Sequence, residues 1–139
     1  MTSRYNVAIL GASGLVGQRL QELLYDHPLF DVVAIAGSPN SVGLMHEEIE
    51  WRLDSRRPNY DILICSMSDI PDVDIAFSAL PNNVAEVVEP SLVARGIHVF
   101  SNASAFRRIA GIPLVIPEVN PEDMQSYYGH ACATNCTVV

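Results

Sequence analysis

Apolar runs and helical repeats alternate along the first part of this chain. The run YNVAIL, from Tyr5 to Leu10, ends at Gly11 and predicts a short buried strand. In the next segment, GLVGQRLQELLYDH, leucine and valine recur at helical spacing. A second apolar run, DVVAIAGS, follows from Asp31 to Ser38. A strand, a turn, a helix and a strand within about 35 residues have the size of a parallel βαβ unit.

The same alternation continues through the later part of the chain. Buried strands are predicted over Asp72 to Leu80 and over Ile97 to Ser104. The run YDILICSM, from Tyr60 to Met67, predicts a further strand at a sheet edge. Between the two buried strands lies a helical segment that ends at Gly96, and Pro90 inside it predicts a kink or a break.

Strands that alternate with helices predict an α/β fold. We expect a Rossmann-like, doubly wound and mostly parallel sheet with helices on both faces. The 139 residues contain no repeat, linker or low-complexity segment. Residues 1–139 therefore read as one domain, and the sequence gives no sign of completing a second domain.

The turn after the first strand reads GASGLVG and carries Gly11, Gly14 and Gly17. Gly11 allows a tight turn, Gly14 allows a phosphate to approach the backbone, and Gly17 lets the helix pack on the strand. Backbone amides at the start of such a helix can bind a pyrophosphate. The spacing departs from the usual dinucleotide pattern, so the alternative is a glycine turn that only packs a helix on a sheet.

The second strand ends in AIAGSPNSVG, which has neither an acid for a ribose hydroxyl nor an arginine for a ribose phosphate. Ser38, Asn40 and Ser41 could hydrogen-bond to either form of the ribose. A plain polar turn explains each of them equally well. The pattern therefore leaves NADP and NAD both open.

Composition and charge exclude several classes of protein. The formal net charge of −8 and the absence of any lysine or arginine cluster disfavour nucleic-acid binding. No apolar run approaches the roughly 18 residues that a membrane helix needs. The N-terminal residues lack the pattern of a signal peptide, so we expect a cytoplasmic protein with no membrane partner. Three cysteines favour reactive or buried thiols over a disulfide framework.

Several motifs occur in the order that aspartate-semialdehyde dehydrogenases show. They are VAILGASGLVGQRL, VDIAFSALPNNVAEVVEP, VFSNASAFR, PLVIPEVNPE and TNC. The chain resembles the N-terminal half of that family, from Val7 to Cys136. The resemblance implies an NADP-dependent enzyme that interconverts L-aspartate 4-semialdehyde and phosphate with 4-phospho-L-aspartate. In this chemistry a thiolate adds to the aldehyde, a hydride passes to the nicotinamide, and phosphate attacks the resulting thioester.

The resemblance assigns catalytic and phosphate-binding roles to four residues. Cys136 matches the nucleophile, and Asn135 matches the asparagine that lies near the reacting carbonyl. Arg107 matches an arginine that binds phosphate, a task that suits a guanidinium group. Asn102 matches a neighbouring asparagine of the same site.

The resemblance also assigns contacts to the cofactor. Ser13, Gly14, Leu15 and Val16 match the pyrophosphate-binding turn, Ser38 and Ser41 match residues around the adenosine ribose, and Ser78 matches a loop beneath the cofactor. NADP-dependent members commonly carry an arginine where Asn40 stands and a lysine where Leu44 stands. These departures keep NAD as the alternative cofactor.

The family's second half has no counterpart in this sequence. It carries the dimerisation and substrate domain, the catalytic histidine and the arginine that binds the substrate carboxylate. We therefore expect this chain alone to be inactive and the parent enzyme to be a homo-oligomer. The alternatives are a non-catalytic dinucleotide-binding module, or a related acyl-CoA or N-acetyl-glutamyl-phosphate reductase, since these relatives share the glycine turn and the cysteine.

Cys136 itself has two other interpretations. It could be an inert buried thiol, because free cysteine is among the most buried residue types. It could also bind a metal with His130 and Cys132, but zinc prefers four closely paired ligands and no fourth is near in sequence. We expect no metal, and Cys132 is predicted to fill a strand.

Overall fold

The computed structural model describes residues 3–126 and 129–133, and the structural statements below refer to these residues. They form a parallel sheet, two α-helices and two short 3₁₀ helices, His46–Glu48 and Pro121–Ser126. The strands are β1 Tyr5–Leu10, β2 Phe30–Ala36, β3 Ile75–Ser78, β4 His98–Ser101, β5 Leu114–Val115 and β6 His130–Ala133. The helices are α1 Leu15–Leu24 and α2 Asn82–Ala94. No helix in the described ranges has both the length and the apolar character to cross a membrane.

The strand order is β2-β1-β3-β4-β6-β5, and each pairing between neighbouring strands of this order is parallel. From β1 the chain moves outward to β2 and then returns to β3 on the other side of β1. The strand order therefore reverses between β1 and β3. In open α/β sheets, ligands bind beyond the carboxyl ends of the strands at this switch point.

The two α-helices cover opposite faces of the sheet. The buried Leu20 and Leu24 of α1 pack with Ile9 of β1, whereas Val88 and Leu92 of α2 pack on the other face. Alternate residues of a strand point to opposite faces, so β1 contributes to both clusters. The expected doubly wound sheet with helices on both faces is confirmed.

The edge strand predicted over Tyr60 to Met67 is wrong as a continuous strand. Only two isolated bridges form there, from Leu63 to Met45 and from Cys65 to Ala36. The backbone of this segment divides its hydrogen bonds between β2 on one side and the segment around residues 43–46 on the other. Neither pairing continues over enough residues to form a β-ladder.

The break predicted at Pro90 is absent, because α2 is continuous from Asn82 to Ala94. A proline in a helix removes one backbone donor and crowds the carbonyl four residues earlier, which here belongs to Glu86. Both Pro90 and Glu86 are exposed, so water can solvate that carbonyl. Helix α2 ends at Ala94, and the predicted stop signal, Gly96, follows two residues later with a backbone φ angle of +83°.

The turn between β1 and α1 is packed tightly at one glycine and loosely at another. A Cβ atom on Gly17 would overlap the carbonyl oxygen of Gly11, whereas a Cβ atom on Gly14 would meet nothing within 4 Å. Gly11 has a φ angle of +124°, which disfavours any residue with a side chain. The close packing predicted for Gly17 is confirmed.

This difference in packing predicts a large loss of stability for one alanine substitution and a small loss for another, three residues away. Gly17→Ala should lower the free energy of unfolding by about 3 kcal/mol, because the new methyl group would push α1 away from the turn. Gly14→Ala serves as the control and should cost less than about 1 kcal/mol, since an N-cap tolerates the exchange with a modest loss. Urea unfolding measures both, and equal losses would contradict the packing described.

Candidate functional site

A cavity of about 870 Å³ lies at the carboxyl ends of the first three strands, above the switch point. Its walls come from the residues that follow β1, β2 and β3 and from a short segment after Cys65. The lining residues are Gly11, Ala12, Ser13, Gly14, Gly37, Ser38, Pro39, Val42, Ser66, Met67, Ser68, Ala79, Leu80, Pro81 and Val84. None of these described lining residues is charged, so a ligand would be held by backbone amides, hydroxyls and apolar contacts.

The glycine turn forms one wall of this cavity. Gly11, Ser13 and Gly14 line it, and Gly14 is the N-cap of α1. No side chain caps this helix N-terminus and no acid lies in its first turn. The first amides of α1 and its partial positive charge are therefore free to meet an anion. Leu15 and Val16 begin the helix outside the cavity lining.

The turn after β2 forms a second wall. Ser38 lines the cavity, while Ser41 is buried behind it and donates its backbone N–H to the Ser38 carbonyl at 2.8 Å. Asn40 is exposed in the same turn. The structure thus brings Ser38 to the cavity and leaves Ser41 as part of its support.

The third wall follows β3, but Ser78 itself does not line the cavity. Its hydroxyl donates to Oε2 of Glu89 at 2.8 Å, and its carbonyl accepts the backbone N–H of Asn102. Ala79 and Leu80 face the cavity instead. The predicted contact between Ser78 and a cofactor is untested, and the position of its polar atoms favours a supporting role.

Glu89 is a fully buried carboxylate that joins α2 to three strands. Besides Ser78 of β3, it accepts a hydrogen bond from Ser101 of β4 at 2.8 Å. Its second oxygen lies 2.8 Å from Nε2 of His130 in β6. A buried carboxylate is tolerated when its lone pairs are satisfied in this way. The available sequence signal for Glu89 was an acid on the apolar side of a helix.

Arg107 and Asn102 lie together in the loop that follows β4. The Arg107 guanidinium donates through an Nη atom to the Asn102 carbonyl at 3.0 Å. Two of their polar atoms, Nε of Arg107 and Oδ1 of Asn102, are buried without a partner among residues 3–126 and 129–133. Buried polar groups are normally paired, so an unpaired guanidinium N–H marks a place where an anion would be stabilised.

The predicted catalytic pair, Asn135 and Cys136, lies outside the described residues. The other two cysteines are Cys132 and Cys65, described as free thiols. Cys132 is buried in β6, as expected of a strand-filling residue. Burial, with a smaller contribution from the Glu89 carboxylate, raises the pKa of Cys132 to about 11. Burial also raises the pKa of Cys65, so neither thiol is activated at neutral pH.

The sequence interpretation missed two groups of residues near the cavity. The first is Ser66, Met67 and Ser68, which line the wall after Cys65. Their position just beyond the carboxyl end of an apolar run was the available signal. The second is a buried polar group behind the glycine turn, formed by Gln18 and Gln21 of α1 together with His46.

His46 is buried in this second group. Its Nε2 lies 2.7 Å from Oε1 of Gln21, and its ring packs edge-on against Tyr60. Burial, and secondarily the positive charge of Arg57, lower the pKa of His46 to about 4. The imidazole is therefore neutral at physiological pH.

A doubly wound parallel sheet, a glycine turn that leads into a helix and a cavity over the switch point together define a dinucleotide-binding domain. Comparison with known families agrees. The model of the semialdehyde dehydrogenase NAD-binding domain matches residues 6–127. The chain belongs to the semialdehyde dehydrogenase family and corresponds to its NAD-binding domain.

Individual relatives are similar to this chain over most of its length. An aspartate-semialdehyde dehydrogenase of Archaeoglobus fulgidus is 44% identical over 125 residues, which are 87% of this chain and 36% of the relative. A malonyl CoA reductase (NADP) of Metallosphaera sedula is 37% identical over 126 residues, 87% of this chain and 35% of that protein. The crystal structure of aspartate semialdehyde dehydrogenase with NADP from Candida albicans superimposes with a TM-score of 0.83 at 36% identity. It is matched over 88% of this chain and 36% of its own.

The chain thus spans about a third of the length of these relatives. The remaining two thirds of each relative lie outside the aligned region. The match shows the family and the domain to which this chain corresponds.

The lowered pKa of His46 predicts a specific dependence of stability on pH. The unfolded chain, with a histidine pKa of 6.5, binds more protons than the folded chain as the pH falls towards 4. This contribution to stability is complete above pH 6.5 and is lost as the pH falls. Between pH 7.5 and 5.5 the wild type should lose about 1.4 kcal/mol more than His46→Gln.

Urea unfolding at the two pH values measures this difference. The exposed Gln125, which carries no titratable group, provides the control, and Gln125→Met should keep the pH dependence of the wild type. An identical pH dependence for the wild type and His46→Gln would contradict a buried, neutral His46.

Proposed function

We propose that this chain is the cofactor-binding part of an NADP-dependent aspartate-semialdehyde dehydrogenase. The reaction converts L-aspartate 4-semialdehyde, phosphate and NADP⁺ to 4-phospho-L-aspartate and NADPH, a step in the biosynthesis of lysine, threonine and methionine. The observation that carries the proposal is the cavity over the glycine turn in a chain that is 44% identical to an enzyme of this name.

The cavity fits a dinucleotide in its shape and in its chemistry. Open space above Gly14 and the uncapped start of α1 suit a pyrophosphate. Ser38, which lines the cavity, would contact the adenosine ribose, and Ser41 and Ser78 would support the walls. When bound there, NADP would supply the hydride acceptor for oxidation of the aldehyde.

The loop of Asn102 and Arg107 is the proposed phosphate site. Its support is the buried Nε–H of Arg107, which has no partner within the described residues. The Arg107 side chain would hold the phosphate that attacks the acylated nucleophile, and the Asn102 side chain would orient it.

Cys136 is the proposed nucleophile and Asn135 its neighbour at the reacting carbonyl. Support for these two roles comes from the sequence resemblance, since both residues lie outside the described part of the chain. The described β6, which ends at Ala133, leads directly into this segment from beside β4. The nucleophile would therefore enter the site on the side of Arg107.

A related reductase of acyl-CoA substrates is the second candidate. The malonyl CoA reductase that is 37% identical to this chain favours it, because the two reactions share a cofactor domain and a thioester step. The phosphate-binding arginine distinguishes the two, because the dehydrogenase uses inorganic phosphate and the reductase uses a CoA thioester. The third alternative is a module that binds a dinucleotide without catalysis.

Other features of the proposal concern assembly and location. We infer that the length found in the relatives but not in this chain supplies the substrate domain and the homo-oligomer contacts. The net charge of −8 supports the absence of a nucleic-acid partner. The proposed location of the enzyme is the cytoplasm, with no membrane partner.

Two measurements test this proposal. The first is NADPH binding to this chain by calorimetry, with NADH alongside, and saturable binding is expected. The second is turnover by a protein that joins this chain to a substrate domain, using aspartate 4-semialdehyde with phosphate in one assay and malonyl-CoA in another. Turnover with malonyl-CoA alone would support the second candidate, and binding without any turnover would support the non-catalytic module.

Adjacent arginines provide a matched test of the phosphate site. Arg107→Gln should raise the KM for phosphate at least about tenfold, because a charge-assisted hydrogen bond to the anion is lost. Arg108 is exposed and has no proposed role, so Arg108→Gln should leave this KM unchanged. Equal effects of the two substitutions would show that only the general positive charge of the loop matters.

Cofactor preference can be tested at the turn after β2. Asn40 and Leu44 are both exposed beside the cavity wall, and neither carries a charge. The double substitution Asn40→Arg with Leu44→Lys should raise the ratio of NADPH to NADH affinity about tenfold, because a ribose 2′-phosphate gains cationic partners. Leu23→Lys on α1 adds a charge elsewhere and should leave the ratio unchanged. An unaltered ratio in the double variant would place the adenosine ribose away from this turn.

A further inference from the structure

Two glutamines of α1 lie directly behind the glycine turn. Gln18 and Gln21 are both completely buried, although each carries a polar amide group. They occupy the helix face that packs on the sheet, where apolar side chains are expected. A buried amide is tolerated only when its donors and acceptor are satisfied, so its partners show what it does.

The amide donors of Gln21 go to carbonyl oxygens of the turn, and those of Gln18 are shared between Glu50 and the turn. Nε2 of Gln21 lies 3.1 Å from the carbonyl oxygen of Ala12 and 3.3 Å from that of Gly11. Nε2 of Gln18 lies 2.7 Å from the carbonyl oxygen of Glu50 and 3.5 Å from that of Ala12. The carbonyls of the turn are thus held on the helix side, away from the cavity.

The orientation of each amide is fixed by its remaining partner. Because Nε2 of Gln21 faces two carbonyl oxygens, its Oε1 must face Nε2 of His46, which therefore carries the proton. Oε1 of Gln18 accepts the backbone N–H of Arg52 at 2.8 Å. The two amides therefore connect the turn to the segment of residues 46–52 and have one permitted orientation each.

We propose that Gln18 and Gln21 are positioning residues for pyrophosphate binding. A peptide unit carries its N–H and C=O on opposite sides, so a carbonyl held behind the turn directs the amide of the next residue forward. Holding the Gly11 and Ala12 carbonyls thereby directs the amides of Ala12 and Ser13 towards the cavity side. The inference rests on the proposed dinucleotide function and adds to it the means by which the turn is preorganised.

The test compares two ligands that differ in the pyrophosphate. NADPH carries it, whereas adenosine 2′-monophosphate does not. Gln21→Met and Gln18→Met, which keep the side-chain length and remove the amide, should each weaken NADPH binding to this chain about tenfold. Binding of adenosine 2′-monophosphate should be unchanged. Unchanged NADPH affinity, or equal losses for both ligands, would overturn the proposal.

Two control variants separate positioning from general stability. Leu24→Ala on the same helix face removes core packing without touching the turn, so it should lower stability and leave the affinity of the folded chain for NADPH unchanged. Gln125 is exposed and distant in sequence, and Gln125→Met should change neither quantity. A loss of NADPH affinity in Leu24→Ala equal to that in Gln21→Met would also overturn the proposal.

A measurement on the wild type covers the case in which the methionine variants do not fold. The side-chain amide NMR signals of Gln18 and Gln21 should shift as NADPH is added, while that of Gln125 should not. Signals of Gln18 and Gln21 that stay in place at saturating NADPH would overturn the inference and leave the proposed function intact. Absence of NADPH binding to the wild type would overturn both.

Discussion

The close contact between helix α1 and the carbonyl of Gly11 is the constraint on which the cofactor site depends. It is possible only because residue 17 has no side chain. This contact brings the start of α1 against the end of β1, directly under the cavity. The uncapped N-terminus of the helix then faces the place where the strand order of the sheet reverses. A wider separation between α1 and the end of β1 would move both the backbone amides and the partial positive charge of the helix away from that place.

A second constraint acts on the other face of the sheet. The buried carboxylate of Glu89 receives hydrogen bonds from β3 and β4 and contacts His130 of β6. Breaking a buried network by removing one member is costly, because the remaining polar groups lose their partners without gaining water. Glu89 therefore fixes the relative position of the three strands that lead to the cavity wall, to the loop of Arg107 and to the segment of Cys136. Helix α1 thus supports the glycine-turn wall of the cavity, whereas helix α2 supports the wall after β3 together with the proposed phosphate side.

The sequence predicted the features that depend on periodicity and on glycine. Strand β1, helix α1, strand β2 and the roles of Gly11 and Gly17 follow from apolar spacing and from the absence of a Cβ atom, both of which are local properties. The segment from Tyr60 to Met67 was predicted less well, since its backbone shares hydrogen bonds between two distant partners that no local pattern reveals. Gln18, Gln21 and Glu89 were missed for the same reason, because a buried polar residue is recognised by its partners. The distinction between Ser38 in the cavity wall and Ser41 behind it depends on the three-dimensional path of the turn, which no local pattern reveals.

We expect a dinucleotide to bind with its pyrophosphate against the glycine turn, over the switch point between β1 and β3. Mapping of backbone amide NMR shifts during titration of this chain with NADPH tests it most directly. The largest shifts should occur at Ser13, Gly14 and Ser38, with further shifts at Ser66 and Ser68. Largest shifts at the opposite end of the sheet, around the smaller cavity lined by Tyr5, Asp74 and Gly96, would contradict it.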